Sequence, residues 1–161
     1  MSQKPHRVRT WAPCGKTPGL EFDFNWKKLS VLGGITGLNF YFQFYPGTLK
    51  SPQVIEFLKH LQQHLPGKLL MVWDGAMIHR SRLVRAYLES LHGRIYATAL
   101  PAYAPELNPI EYAWGYFKQH RLPNFCARDL THLSAFGRKA LNNMRRRSKL
   151  VAAFWKQAEL W

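Results

Sequence analysis

Residues 100–120 read LPAYAPELNPIEYAWGYFKQH, and the fold follows from how this stretch joins its neighbours. Leu100 and Pro101 close a β-rich run, IYATALP at 95–101, and a turn rich in Ala and Pro follows. Ile110, Ala113, Trp114 and Phe117 then recur at helical spacing across 108–120. Asn108 is placed to cap that helix and Pro109 to take its first position. A strand that runs into a helix is one unit of a β-α alternation, and the same unit occurs upstream. LLMVWDG at 69–75 is a short, wholly apolar run with the profile of a central buried strand, ending in Asp74 and Gly75; Ser81–Leu91 predicts the helix after it. Before these, Ser51 reads as a cap with Pro52 at the first helical position. Val54, Phe57, Leu58, Leu61 and Leu65 form the apolar face of that helix up to the Pro66-Gly67 stop. LSVLGGITG and LNFYFQFYP, between Leu29 and Tyr45, read as a hairpin joined at a Gly-containing turn. The order strand, strand, helix, strand, helix, strand, helix predicts a mixed α/β domain. Residues 129–161 add further helix, and residues 1–28, broken by Pro5, Pro13, Gly15, Pro18 and Gly19, read as a basic arm or loop.

The chain has 161 residues, of which 47% are apolar, with six Trp, seven Tyr and ten Phe, enough for one domain with a packed core. Lys and Arg total 23 against nine Asp and Glu, a net charge of +14, so the surface carries a strong positive field and nucleic acid is the leading partner. The basic residues spread from Lys4 to Lys156 rather than along one amphipathic helix, which argues against a membrane-surface protein. With no long apolar run and no apolar segment after MSQKPHRVR, a soluble chain without a visible export signal is expected. Cys14 and Cys126 are isolated, form neither a disulfide framework nor a zinc cluster, and suit a reducing cytosol.

Nine acids make each position informative. Glu56, Glu89, Glu106 and Glu159 fall on helix faces or a turn and are expected to be solvated. Asp74 differs, because a carboxylate at the end of a buried strand is costly without a partner or a metal; its structural alternative is to cap a turn through Gly75. Glu111, three residues after Asn108, fits a capping box, yet it also lies at the edge of the apolar stripe, looking along the rim of a sheet. Converging there, Asp74 and Glu111 would offer hard oxygen ligands to Mg²⁺ or Mn²⁺, which activate water or a 3′-hydroxyl in phosphodiester chemistry.

WDGAMIH at 73–79 followed by LPAYAPELNPIEYAW at 100–114 resembles the second and third catalytic motifs of the mariner superfamily of DDE transposases, especially its bacterial insertion-sequence branch. TWAPCGKTP at 10–18 is similar to the loop that follows the first catalytic strand in that family. The resemblance implies a ribonuclease H-like mixed sheet flanked by helices, with three acids around two metal ions. It implies DNA nicking at the ends of a mobile element, then strand transfer by the freed 3′-hydroxyl. On that basis Asp74 and Glu111 are metal ligands, and His79 matches the family's D-x-x-x-x-H, where it would approach the scissile phosphate or orient the aspartate. The partners implied are transposon ends and target DNA, with homo-oligomerisation of the complete protein, in the bacterial cytoplasm at the nucleoid. One departure stands out. The family's first catalytic Asp lies on a strand before the W-x-P-x-G loop, whereas here no acid precedes Glu21, and neither Glu21 nor Asp23 takes that role. The chain is therefore expected to be a C-terminal part: an arm over 1–28, a partial ribonuclease H-like core over 29–128 lacking its first, central strand, and a basic helical extension of the same domain over 129–161. An N-terminal transposase fragment is a candidate partner. Without the bridging carboxylate a two-metal site loses most of its activity, so the chain alone is expected to be impaired. The alternative is a non-catalytic basic DNA-binding remnant with the same fold.

Other signals are weaker. Lys118 lies on nearly the same helix flank as Glu111, placed to meet a phosphate or to be solvated. Gly15-Lys16-Thr17 imitates the end of a phosphate-binding loop, but position 10 is Thr where the pattern needs Gly. His60 and His64 stand one helical turn apart with no third ligand near and are expected at the surface. Were 138–156 one helix, Arg138, Arg145, Lys149 and Lys156 would line one face over about 27 Å, opposite Leu141, Met144, Val151, Trp155 and Ala158. That face suits a phosphate backbone, unless Ser148 starts a new helix and breaks it.

Overall fold

In the computed structural model, which describes residues 6–21 and 28–160, β1 (Leu29–Ile35) and β2 (Phe40–Pro46) form the expected antiparallel hairpin, with Leu29 opposite Pro46 and Ile35 opposite Phe40. Strand alternation sorts its side chains. Leu29, Val31 and Ile35 join Phe40, Phe42 and Phe44 on one face, whereas Leu32 and Tyr41 point to the other. α1 (Ser51–His64) packs on that second face through Val54, Phe57, Leu58 and Leu61. The helix begins one residue earlier than its Ser-Pro signal suggests: Lys50 is the cap, and its N–H donates to the Gln53 side-chain oxygen at 3.0 Å, which leaves Ser51 as the first helical residue.

β3 (Leu69–Trp73) and β4 (Ile95–Ala99) form a parallel pair, with Leu69 opposite Ile95 and Trp73 opposite Ala99. α2 (Arg82–Ser90), capped by Ser81 accepting from the Val84 N–H at 3.3 Å, provides the crossover that parallel strands require. Strand directions are thus mixed, as expected. The two pairs share no ladder: among the described residues β1 bonds only to β2 and β3 only to β4. Both nevertheless rest on α1, since Leu32 of β1 packs into the same cluster as Leu69, Met71 and Trp73 of β3.

β3 is not buried on both faces as its apolar run suggests. Leu69, Met71 and Trp73 face α1 and α2, but Leu70 and Val72 are 68% and 51% exposed, because the remaining helices gather over the hairpin instead. Those helices are α3 (Pro109–His120), α4 (Leu130–Arg145) and α5 (Ser148–Gln157). They bury Ala113, Phe117, Leu133, Leu141, Met144, Val151 and Phe154 against Leu29, Phe40 and Phe44, which makes this the larger core. The C-terminal region follows the alternative in which a new helix starts at Ser148: α4 ends at Arg145 and α5 starts at Ser148, so the four-residue basic stripe of a single helix is interrupted at Arg146 and Arg147. Its apolar side holds. Leu141, Met144, Val151 and Ala158 are buried, and the Trp155 indole N–H donates to the Thr36 carbonyl at 2.8 Å, tying α5 to the hairpin. The arm is anchored at its start, where Asn124 bonds to Val8 at both its side-chain oxygen and its side-chain nitrogen, 3.0 Å each. Lys4 and Asp23 lie outside the described residues.

Candidate metal centre and nucleic-acid interface

Asp74 follows the last residue of β3, where the parallel pair ends and its backbone groups run out of ladder partners. It is exposed rather than buried, and the turn alternative is realised in part: the Ala76 N–H donates to Asp74 Oδ1 at 3.0 Å. The same oxygen lies 3.3 Å from His79 Nε2. His79 is largely buried, with its ring stacked on Trp73 at 4.6 Å between centroids and 17° between planes. Burial pushes its pKa below the usual imidazole value, partly opposed by the Asp74 charge. A neutral ring that donates through Nε2 leaves Nδ1 as an acceptor, and that buried atom has no partner among the described residues. Asp74 and His79 are therefore brought together as a pair in which the imidazole orients the carboxylate, and Oδ2 makes no hydrogen bond among the described residues. Arg80 stiffens the loop, donating from two guanidinium nitrogens to the Gly75 carbonyl.

Glu111 stands in the first turn of α3 and is exposed. The capping box does not form. Asn108 accepts from the Ile110 N–H at 3.3 Å, and its own N–H is already given to the Pro105 carbonyl at 3.0 Å by the 3₁₀ turn Pro105–Leu107, so Glu111 has no donor to reach back for. Its carboxylate makes no hydrogen bond or ion pair among the described residues. Its place along the sheet is set by Gly33 of β1: a Cβ there would come within 2.6 Å of the Trp114 ring and 3.2 Å of Ile110, so only a glycine lets α3 lie this close. The exit of β4 is tied to the end of β3 by the Leu100 N–H donating to the Trp73 carbonyl at 2.8 Å. Asp74 and the loop leading to Glu111 thus leave the same C-terminal edge of a parallel pair, the edge at which α/β sheets hold ligands.

Oxygen ligands of this kind suit a hard divalent cation. In number they are short: no group of three or more His, Cys, Asp or Glu placed to hold a metal occurs among the described residues. Glu21 is exposed, and Glu56, Glu89, Glu106 and Glu159 are exposed as expected. His64 is exposed too, but His60 is half-buried, stacked on Phe57 and 4.3 Å from the His64 ring, which departs from its expected surface placement. Both cysteines are free.

Lys118, Arg138, Arg145, Lys149 and Lys156 are all exposed. Arg138 is partly committed, lying over the Phe44 ring at 5.2 Å and 3.4 Å from Ser134 Oγ. Sequence reasoning passed over two basic features. Arg147, in the break between α4 and α5, donates to the Tyr116 hydroxyl at 3.0 Å and links the tail to α3. Arg80, Arg82 and Arg85 are exposed immediately beyond the Asp74 loop, a run of three cations that was legible in RSRLVR. No helix among the described residues is long and apolar enough to cross a membrane.

A comparison with curated proteins finds no match. Solved structures do match. The Mos1 strand transfer complex aligns with a TM-score of 0.66 at 20% identity over 96% of this chain and 46% of that one. The Mos1 mariner paired end complex with Mn gives 0.66 at 22% identity over 97% and 48%. The catalytic domain of Mos1 mariner transposase gives 0.60 at 23% over 86% and 71%. The fold is therefore that of the ribonuclease H-like Mos1 catalytic domain, and the chain spans about half the length of the full Mos1 chains it matches. The model of a family described as DDE superfamily endonuclease matches residues 1–134, most of the sequence, and the chain belongs to that family.

Proposed function

We propose that this chain supplies the second and third acids of a DNA-transposing catalytic domain that performs metal-dependent strand cleavage and transfer. The observation that carries it is the pair of uncommitted carboxylate groups, Asp74 Oδ2 and Glu111, on segments leaving one edge of a parallel strand pair in a DDE-family fold. Asp74 and Glu111 would hold Mg²⁺ or Mn²⁺, and solved Mos1 structures include ones with Mg and with Mn. A bound divalent ion supplies charge neutralisation at the phosphodiester and activation of the attacking oxygen. The chain's own residues do the rest. His79, neutral, keeps Asp74 turned toward the edge, and the Ala76 amide donates to the same oxygen, Oδ1, so that Oδ2 is left for the metal. Lys118, Arg138, Arg145, Lys149 and Lys156 neutralise backbone phosphates without reading sequence. DNA is the partner, in keeping with Mos1 complexes that include a left transposon end. A segment bearing a further acid, from an N-terminal fragment of the same transposase, completes the ligand set, and the complete protein acts as a homo-oligomer in a bacterial cytoplasm.

The test is nicking and joining of a duplex carrying inverted repeats, with Mg²⁺, by this chain with and without an Asp-bearing upstream segment. Cuts that need both pieces, the metal and Asp74 are expected; an inert reconstituted pair overturns the assignment. A second reading, a non-catalytic DNA-binding remnant, is favoured by the absence of a third carboxylate at the site among the described residues. It predicts DNA binding that Asp74→Ala leaves unchanged.

A further inference from the structure

Two large apolar side chains stand in water beside the proposed centre. Tyr103 is fully exposed and Met77 is 81% exposed, on the two loops that leave the C-terminal edge of the parallel pair. Trp73 and Ala99 are opposite each other in the last rung of that ladder, and Met77 and Tyr103 each lie four residues beyond it. Neither loop is slack. The Met77 loop is closed by the Ala76 N–H to Asp74, the His79 N–H to the Ala76 carbonyl at 3.0 Å, the Arg80 N–H to the Met77 carbonyl at 3.2 Å, and the Arg80 guanidinium on Gly75. Tyr103 sits between Pro101 and Pro105 with φ of 59°, a left-handed backbone that costs a bulky residue about 1 kcal/mol or more. Folding alone gives no return for holding a phenol ring in water at that cost, since the ring contacts no core cluster.

We infer that Tyr103, with Met77 on the neighbouring loop of the same edge, is a stacking platform for an unpaired nucleic-acid base next to the phosphate bound at Asp74 and Glu111. This rests on the proposed function for its polynucleotide and adds a contact to the base. The charge around the pair fits that occupant: Arg80, Arg82 and Arg85 follow Met77 within eight residues, exposed, with Asp74 as the single acid between Leu69 and Leu88. A cationic track beside an aromatic face is how single-stranded nucleic acid is held, the phosphates on the cations and a base on the ring. A thioether in the neighbouring loop suits a wedge that keeps the vacated stack open.

The test uses the full chain and two duplexes that differ only in an unpaired 2-aminopurine nucleotide. Wild-type protein should bind the duplex with the unpaired base more tightly, with a change in 2-aminopurine fluorescence on binding. Tyr103→Ala should cut that preference about tenfold, the scale of one lost base–aromatic stack, and abolish the fluorescence change, while affinity for the fully paired duplex stays the same. Tyr103→Phe should retain both. Circular dichroism and melting temperature, unchanged in the variants, separate a lost contact from a lost fold; Met77→Ala, on the other loop, gives a second reading in which the preference should fall by a smaller factor. Equal binding of the two duplexes by wild-type protein, or a preference that survives Tyr103→Ala, overturns the platform and leaves the proposed function standing. Failure to bind either duplex overturns the DNA-directed function and the platform with it.

Discussion

Tyr45 shows how one side chain reports on the packing of α1 against the hairpin. Its hydroxyl donates to Gln43 Oε1 at 2.8 Å and lies 3.2 Å from the Gln53 carbonyl, so the neutral phenol is well held. Burial first, and the Glu56 charge second, raise its pKa from 10.0 to about 12. An acid whose folded pKa exceeds its unfolded one stabilises the fold fully below the unfolded value and loses that contribution as pH rises through the folded one. Melting curves collected from pH 10 upward should therefore show stability falling toward pH 12, and Tyr45→Phe should flatten that fall. A variant that declines as steeply as the parent would remove Tyr45 as the cause. At Asp74 and Glu111 the residue types were legible in the sequence but their surroundings were not. The expected burial of Asp74 failed because exposure depends on what covers β3. The capping box at Glu111 failed because a 3₁₀ turn had already claimed the Asn108 amide.

Among the elements, α3 decides where Glu111 stands, and Gly33 decides where α3 stands. A valine at Gly33 would drive methyl groups into Trp114, already 2.6 Å from an ideal Cβ, so Gly33→Val should cost about 1–3 kcal/mol through overpacking and lower the melting temperature. Gly34→Ala, where the nearest atom to an ideal Cβ is 3.6 Å away on Phe57, should be tolerated far better. Comparable losses at the two positions would contradict the packing described. Hydrophobic periodicity made nearly every element legible within a residue or so: α2 runs Arg82–Ser90 where Ser81–Leu91 is expected, α3 starts one residue after its expected cap Asn108, and the hairpin, β3 and β4 occur where their β-rich runs lie. What periodicity could not show was the relation between strands. Pairing depends on partners distant in sequence, so neither the split of the sheet into an antiparallel and a parallel pair nor the bare face of Leu70 and Val72 was visible. In the tail the sequence left two readings open, and the one in which Ser148 starts a new helix is realised: α4 ends at Arg145 and α5 begins at Ser148, although Arg145 to Arg147 carry no Gly or Pro breaker.

For the protein as a whole, a charge of +14 makes binding to any duplex depend on salt. Replacing Arg145 and Lys149 together by Gln should lower affinity uniformly across sequences and reduce the slope of log affinity against log salt by about 1.8, the value for two phosphate contacts. An unchanged slope would take the tail off the DNA path. The family match and the Mos1-like fold account for the architecture without fixing the chemistry, which depends on whether Asp74 and Glu111 meet at one ion. Loading the chain with Fe²⁺ in place of Mg²⁺ and adding ascorbate and peroxide cuts the backbone nearest the bound metal. Cuts should group in two segments, around 73–79 and around 108–112, be suppressed by excess Mg²⁺, and vanish from both segments in Asp74→Asn and equally in Glu111→Gln. Cutting confined to one segment, or persisting at one when the other's carboxylate is removed, would show that the two acids do not share a metal.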